Sequence, residues 1–306
     1  MEIIIEHLTK SFGEKKALED VSFVVEQGMF GLLGKNGAGK TTLMRTITTL
    51  LNKTSGSITV CGVPIEKPQE IRKMIGYLPQ DFSIYPNMKV YDALDYLGTL
   101  SGMNKSERSA AIKKVLEQVN LSDCRKVKVK ALSGGMKRRL GIAQAILHNP
   151  KVLIVDEPTA GLDPQERIRF RNLLCEIAAD RIVMLSTHIV EDIQSTCERI
   201  AILDQGRLLY QGSVQDLRKT AEQHVFQAMI TRQKLEELKQ KYFITGMVTL
   251  GNEVNVRILA KEQPCDNAIS CEPTMEDAYM LCVHQENAWH AEVPVNEWLG
   301  GRNHVS

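Results

Sequence analysis

The chain has 306 residues, 43% of them hydrophobic and 25% charged, with a formal net charge of +1. That length accommodates one large domain or a core domain with a smaller companion, and the composition excludes wholesale disorder. The near-neutral balance argues against a nucleic-acid binder, which carries a basic excess on one domain. The N-terminus, Met1-Glu2-Ile3-Ile4-Ile5-Glu6, is too short and too acidic for a signal peptide. No apolar run approaches the roughly 18 to 20 residues of a membrane helix, so the expected location is the cytosol, with any membrane role exercised through a partner. The seven cysteines are odd in number and scattered, with no C-x-x-C, as expected for reduced thiols. Cys265, Cys271, Cys282 and His284 crowd together, but at a spacing that fits no zinc pattern.

In chain order, short strand signals alternate with turns at Ile3 to His7, Val21 to Val25, Met29 to Leu33 and Ser57 to Val63. Phe12 falls in the turn after the first strand, where an exposed aromatic could stack on a purine base and a lone Phe is more often core. Gly34-Lys35-Asn36-Gly37-Ala38-Gly39-Lys40-Thr41-Thr42 then fits G-x-x-x-x-G-K-[ST] without a mismatch. It lies between an apolar strand and a helix over Thr41 to Leu51, the context that confirms a phosphate-binding loop. Gly34, Gly37 and Gly39 allow positive φ and leave no Cβ in the way, so the loop N–H groups, those of Asn36 and Ala38 included, can wrap a polyphosphate. The following helix adds the partial positive charge of its N-terminus. Lys40 can reach the β- and γ-phosphates, the Thr41 hydroxyl is the expected Mg²⁺ ligand, and Thr42 is a further candidate phosphate contact.

Ile71 to Gln80 reads as a strand, followed by helices over Val90 to Leu100 and over Ser106 to Val119, the second capped at Ser106. This mostly helical insert ends near Lys130. Ser133 suits the N-cap of a helix running to about His148, and Gly134 and Gly135 leave its first N–H groups open to an anion, although any capped helix can begin so. Val152-Leu153-Ile154-Val155-Asp156-Glu157-Pro158 is an apolar run of the kind buried on both faces of a parallel sheet, placing the chain in the α/β class. Carboxylates at the C-terminal end of such a strand lie where open α/β sheets bind ligands. Asp156 would hold Mg²⁺ or its water shell and Glu157 would orient or deprotonate the attacking water; the alternative is that both cap the next turn. After a loop through Asp163 and a helix over Gln165 to Ala178, a second apolar strand, Ile182 to Leu185, leads into Ser186-Thr187-His188. His188 is there within feasible reach of a γ-phosphate.

Taken together, these residues closely resemble the nucleotide-binding subunit of ATP-binding cassette (ABC) transporters, over roughly residues 1 to 215. The resemblance implies a P-loop NTPase cassette with a RecA-like core, an antiparallel β subdomain and a helical subdomain over about 82–130, using ATP and Mg²⁺. It makes Phe12 the adenine-stacking aromatic and Gln80 the glutamine that reaches Mg²⁺ and the attacking water and couples to the membrane subunit. Ser133 to Gly135 match the L-S-G-G loop, Asp156 and Glu157 the metal-binding and catalytic acids, Asp163 the dimer-contact loop and His188 the switch histidine. It further implies a head-to-tail homodimer that clasps ATP between the phosphate loop of one copy and the Ser133 helix of the other.

One position departs from the pattern: Met136 stands where Gln is most frequent, followed by Lys137, Arg138 and Arg139. Prokaryotic members that pair with a separately encoded permease look similar here, particularly in drug, antibiotic-peptide and polysaccharide export. The expectation is therefore an exporter ATPase, peripheral on the inner face of the cell membrane through an integral-membrane permease. The basic triplet reads as a solvated helix face or a contact near phosphates rather than a nucleic-acid patch. Beyond about Asp216 the motifs stop. Residues 216–284 read as a small α+β extension closed by a helix over Pro273 to Tyr279, and 285–306, with Trp289 and Trp298, as a partly mobile tail. The rival reading is a soluble cassette ATPase acting on ribosomes or DNA; it is disfavoured because the chain has one cassette and no sustained heptads.

Overall fold

A computed structural model describes residues 1–286, so the tail with Trp289 and Trp298 lies outside the described residues. The chain divides into two compact units, Met1–Gln211 and Gly212–Ser306.

The first unit opens with β1 (Glu2–Phe12) and β2 (Lys15–Glu26), an antiparallel pair. Next come β3 (Gly28–Leu33), α1 (Lys40–Ile47), β4 (Ser55–Val60) and β5 (Val63–Pro64). Strands β2-β1-β4-β5 make a four-stranded sheet. Phe12 is thus the last residue of a strand, not part of the turn after it. The stretch expected as one strand from Ile71 is instead α2 (Pro68–Met74) followed by β6 (Ile75–Leu78). The helical reading follows from Pro68 at its first turn, Glu70 near its start and Arg72 and Lys73 at its end, all favourable to a helix and its dipole.

Helices α3 (Val90–Leu100) and α4 (Lys105–Gln118) form the insert. Asn104, rather than Ser106, caps α4: its side chain accepts from Glu107 N–H at 3.0 Å while the Glu107 carboxylate accepts from Asn104 N–H at 3.2 Å, a reciprocal capping box. Then follow α5 (Gly134–Ile146), β7 (Val152–Asp156), α6 (Pro164–Ala178), β8 (Ile182–Thr187), α7 (Val190–Thr196), β9 (Arg199–Asp204) and β10 (Arg207–Ser213). The second sheet has the order β10-β9-β3-β8-β7-β6. The pairs β9-β3, β3-β8, β8-β7 and β7-β6 are parallel. Every residue of β7 and β8 is buried, as apolar strands covered on both faces must be. Because β3, β8 and β7 are adjacent and parallel, their C-terminal ends deliver the glycine loop, His188 and Asp156-Glu157 to one edge of the sheet.

In the second unit, α8 (Val214–Thr220) precedes β11 (Val225–Thr231), α9 (Arg232–Lys241), β12 (Phe243–Leu250), β13 (Glu253–Leu259), β14 (Ile269–Ser270) and α10 (Met275–Glu286). The sheet is antiparallel, in the order β12-β13-β11-β14. Its core joins Ala228, Ile230, Val254, Val256 and Ile258 to Leu235 and Leu238 of α9. None of the seven cysteines is joined in a disulfide.

The buried Asp277 carboxylate, 1% exposed, fastens α10. It accepts from Thr274 N–H at 2.8 Å, from the Thr274 hydroxyl at 2.7 Å and from Arg257 of β13 at 2.6 Å. Burial works against its charge, yet the hydrogen bonds, led by that from Arg257, hold the carboxyl below the ordinary aspartate value. Replacing Asp277 by Ala leaves Arg257, 27% exposed, without its ion-pair partner and with the Glu272 carbonyl as its acceptor, and should destabilise this unit by about 1 to 2 kcal/mol, read by denaturant unfolding and by amide exchange in β13. A depressed native value makes the stabilisation fully present above the unfolded aspartate value of about 4 and lost as pH falls below it. The wild-type unit should therefore weaken with acid over that window, and the Asp277→Ala variant should show a shallower acid dependence.

Candidate active site

The site is built on the loop between β3 and α1. Gly37 and Gly39 have φ of +84° and +106°, conformations that favour glycine. Gly34 is required for a different reason: its φ is not positive, but a Cβ there would fall 2.3 Å from the Leu203 carbonyl oxygen. The N–H groups of this loop are not all turned inward, since that of Ala38 is bonded to the Lys35 carbonyl at 3.1 Å.

Lys40 opens α1 with its ammonium almost dry. Nζ donates to the carbonyls of Gly34 at 2.6 Å and Lys35 at 3.1 Å and lies 3.2 Å from Glu157 Oε1; the two side chains are 4% and 7% exposed. The other Glu157 oxygen is 3.0 Å from Nδ1 of His188, which is 41% exposed. Lys40, Glu157 and His188 thus form one continuous polar chain. Glu157 itself sits at φ +44°, a strained backbone for a residue with a Cβ, of the kind that concentrates at functional sites.

Ser186 on β8 is the residue that the sequence did not single out. Its hydroxyl donates to Asp156 Oδ1 at 2.5 Å and accepts from Glu157 N–H at 3.0 Å. The second oxygen of Asp156, Oδ2, is buried without a hydrogen-bond partner, which is costly unless a cation completes it. Burial raises the Tyr77 hydroxyl to about 12, and the negative charge of Asp156 adds to that rise. An unsatisfied carboxylate oxygen on Asp156 and the hydroxyl of Thr41, which lines the cleft, are hard-oxygen donors of the kind Mg²⁺ takes, with its remaining ligands from phosphate and water. Among the described residues no cluster of three His, Cys, Asp or Glu side chains could hold a metal by itself, including the Cys265, Cys271, Cys282 and His284 region.

An open cleft of about 760 Å³ runs from Phe12 past Asn36, Gly37, Gly39, Lys40, Thr41 and Thr42 to Gln80 and Glu157. That size suits a nucleotide. Phe12 is 50% exposed, with Lys10 Nζ 4.7 Å from its ring centroid, so the core alternative for this ring does not hold. Lys15, Lys16, Ala17, Gln205 and Gly206 also line the cleft. They come from the start of β2 and the turn between β9 and β10, which are remote in sequence and carry no motif; Gln205 and Gly206 both have positive φ, +47° and +82°.

The residues expected in the L-S-G-G and dimer-contact loops do not line this cleft, and neither do Asp156 and His188. Ser133 caps α5, accepting from Met136 N–H at 3.2 Å, but neither it nor Gly134 or Gly135 lines the cleft. Gly135 is packed so closely on α6 that a Cβ would stand 2.4 Å from Glu166 Oε2. Asp163 caps α6, its Oδ1 accepting from Glu166 N–H at 3.0 Å. The basic triplet is not a solvated face throughout: Arg138 donates to the Gln80 carbonyl at 2.6 Å, and Arg139 to those of Val119 and Asn120 at 3.2 and 3.1 Å. Long cationic stems on α5 reach backbone carbonyls that the sequence does not show to be close.

No helix among the described residues is long and apolar enough to cross a membrane. The family model described as ABC transporter matches residues 18–160. The uncharacterised ABC transporter ATP-binding protein YxlF of Bacillus subtilis is 38% identical over 246 residues, which span 80% of this chain and 82% of that protein. The Nod factor export ATP-binding protein I of Burkholderia lata is 36% identical over 210 residues, 68% of this chain and 69% of its own. A solved structure of an ATP-binding subunit of an ABC transporter superposes with a TM-score of 0.65 at 28% identity, over 72% of this chain and 93% of that one. The glycine loop, the paired acids after β7 and the parallel sheet that joins them agree with these likenesses: the chain belongs to the ABC transporter family as an ATP-binding, ATP-hydrolysing subunit with a P-loop NTPase cassette of α/β class.

Proposed function

We propose that this chain energises an exporter as an ATP-sandwiched homodimer beneath a separate membrane permease. One observation carries the reading: the groups suited to phosphate fall into two sets. The cleft gathers Lys40, Thr41, Gln80 and Glu157, whereas the Ser133 helix start, capped and open at its N-terminus, is not part of it. A second copy, turned head to tail, supplies the missing helix end to the same triphosphate. Export is favoured by the likeness to the Nod factor export protein and by the Met136-containing loop.

In this reading adenine stacks on Phe12 and the triphosphate lies along the loop from Asn36 to Thr42. A γ-phosphate oxygen replaces Glu157 beside Lys40, whose ammonium then offsets charge on the transferred group. Glu157, released, takes the proton of the attacking water, while His188 moves its hydrogen bond from Glu157 to the γ-phosphate. Thr41 and Asp156 Oδ2 would hold Mg²⁺, which when bound neutralises charge shared by the β- and γ-phosphates, and Gln80 would reach it and the water. Hydrolysis removes the group that both copies clasp, so the dimer opens.

Replacing Glu157 by Gln should cut turnover by about 10² to 10⁴, the scale of a general base. The same change should tighten ATP binding, because a neutral amide no longer competes for Lys40. Light scattering of that variant should show a monomer that dimerises only with ATP. Normal hydrolysis would remove Glu157 from its role, and an unchanged mass would remove the sandwich.

Replacing Gly39 by Ala forces a Cβ into φ +106° and to within 2.7 Å of the Ala17 carbonyl. Strain of that kind, about 1 to 3 kcal/mol, should weaken binding of a fluorescent ATP analogue at least tenfold. For the membrane role, fractionation should find the chain on membranes only when its permease is co-expressed; co-sedimentation with ribosomes would contradict it.

A further inference from the structure

The acids at the end of β7 are served by one side chain that the proposed chemistry does not use. Ser186 has no exposure and lies opposite Asp156 in the β7–β8 register. A serine hydroxyl has one proton and two lone pairs. The proton is committed to Asp156 Oδ1 at 2.5 Å, the length of a charge-assisted O–H···O⁻ bond. A lone pair accepts from Glu157 N–H at 3.0 Å, and the same N–H reaches the Ser186 carbonyl at 3.2 Å. One residue therefore holds the backbone of Glu157 by two acceptors where its φ is +44°. The adjacent hydroxyl is engaged elsewhere, Thr187 Oγ1 accepting from Ile189 N–H at 3.0 Å.

We propose that Ser186 is the positioning residue for both acids. It occupies one oxygen of Asp156, so that Oδ2 is the single oxygen left to face Mg²⁺. It also fixes the backbone turn from which Glu157 reaches Lys40 and His188. This deepens the ATPase reading and rests on it. Without the hydroxyl the Asp156 carboxylate is free about its terminal torsion, a broad two-fold well, and Glu157 N–H loses one of its acceptors. The phosphate loop, Lys40 and Phe12 are untouched, so metal-free nucleotide binding should not change while metal affinity and turnover fall.

The decisive comparison is Ser186→Thr against Ser186→Val, two side chains of equal bulk that differ in the hydroxyl, with Ser186→Ala beside them. Manganese affinity of the ADP-loaded protein by electron paramagnetic resonance, kcat and KM for Mg-ATP, and binding of a fluorescent ATP analogue in EDTA would each be measured. Valine and alanine should weaken manganese binding about 10- to 100-fold, the usual effect of losing a group that orients a metal ligand, and lower kcat more than they raise KM. Threonine should stay within about threefold of wild type, and EDTA binding should stay within about twofold in all three. If valine abolished the EDTA binding, alanine, with less bulk, would take its place in the comparison with threonine. Threonine and its hydroxyl-free counterpart behaving alike would overturn the proposal. Wild-type protein without metal-dependent hydrolysis would instead overturn the ATPase reading beneath it.

Discussion

A lysine and a glutamate, each more than nine-tenths buried, stand 3.2 Å apart at the mouth of the phosphate loop, and neither charge is tolerable there without the other. An isolated buried ammonium or carboxylate moves toward its neutral form. Here Lys40 has the Gly34 and Lys35 carbonyls as well as Glu157, and Glu157 has His188 on its other oxygen. Removing one partner from such a pair costs more than the pair contributes, because the survivor stays buried and unmatched. The arrangement is also exchangeable in a way an apolar core is not. A phosphoryl oxygen offers Lys40 the same charge, so substrate can replace the glutamate without leaving the ammonium unpaired.

The backbone is what makes the pair possible. Parallel pairing sets Leu33 opposite Thr187 and Asp156 opposite Ser186, so the residue that follows each strand emerges at the same edge. Close approach then depends on what is missing: a Cβ on Gly34 would strike the Leu203 carbonyl, and one on Gly39 the Ala17 carbonyl. The left-handed turn at Glu157 costs about 1 to 3 kcal/mol by itself. It persists because Glu157 N–H has two acceptors on β8 and its carboxylate two partners in the cleft. Strain, burial and charge are thus balanced within a handful of residues, and the rest of the parallel sheet holds them in register.

Much of this was legible in the sequence where chemistry and local geometry coincide. The glycine loop, the apolar β7 run ending in Asp156-Glu157 and the Ser133 cap are short-range signals, each fixed by residue types within about ten positions. What was not legible is long-range. Ser186 is an ordinary strand serine until β7 is laid beside β8. Arg138 and Arg139 read as surface charge until their carbonyl partners on other segments are in place. Lys15, at the start of β2, and Gln205, in the turn after β9, meet at the cleft only through folding. The Ile71 stretch reads as a strand on its apolar residues alone, whereas Ile71 and Ile75 stand four apart, and Pro68, Glu70, Arg72 and Lys73 are the boundary signals that decide for a helix over Pro68–Met74.

The cleft and the Ser133 helix start are joined within one chain by polar contacts rather than by a shared cavity. Arg138 on α5 holds the Gln80 backbone, so the residue that lines the cleft is tied to the helix that begins at Ser133. From the same helix Arg139 lies 3.6 Å from Glu166 of α6, the helix capped by Asp163. Neither contact consumes a side-chain group of Gln80 or an N–H of the Ser133 helix start, so both remain available for chemistry while their backbones are fixed. A displacement of α5 cannot leave Gln80 or α6 unaffected without breaking a charge-assisted bond to a carbonyl or an ion pair. Helix α5 is therefore tied to the edge of the sheet that carries the cleft by cationic side chains, and that tie requires them to stay long and charged. A neutral or shorter residue at Arg138 would leave the Gln80 carbonyl without this donor, and the bond from Gln144 of α5 to the Tyr77 carbonyl, at 3.2 Å, would remain as a tie between α5 and β6.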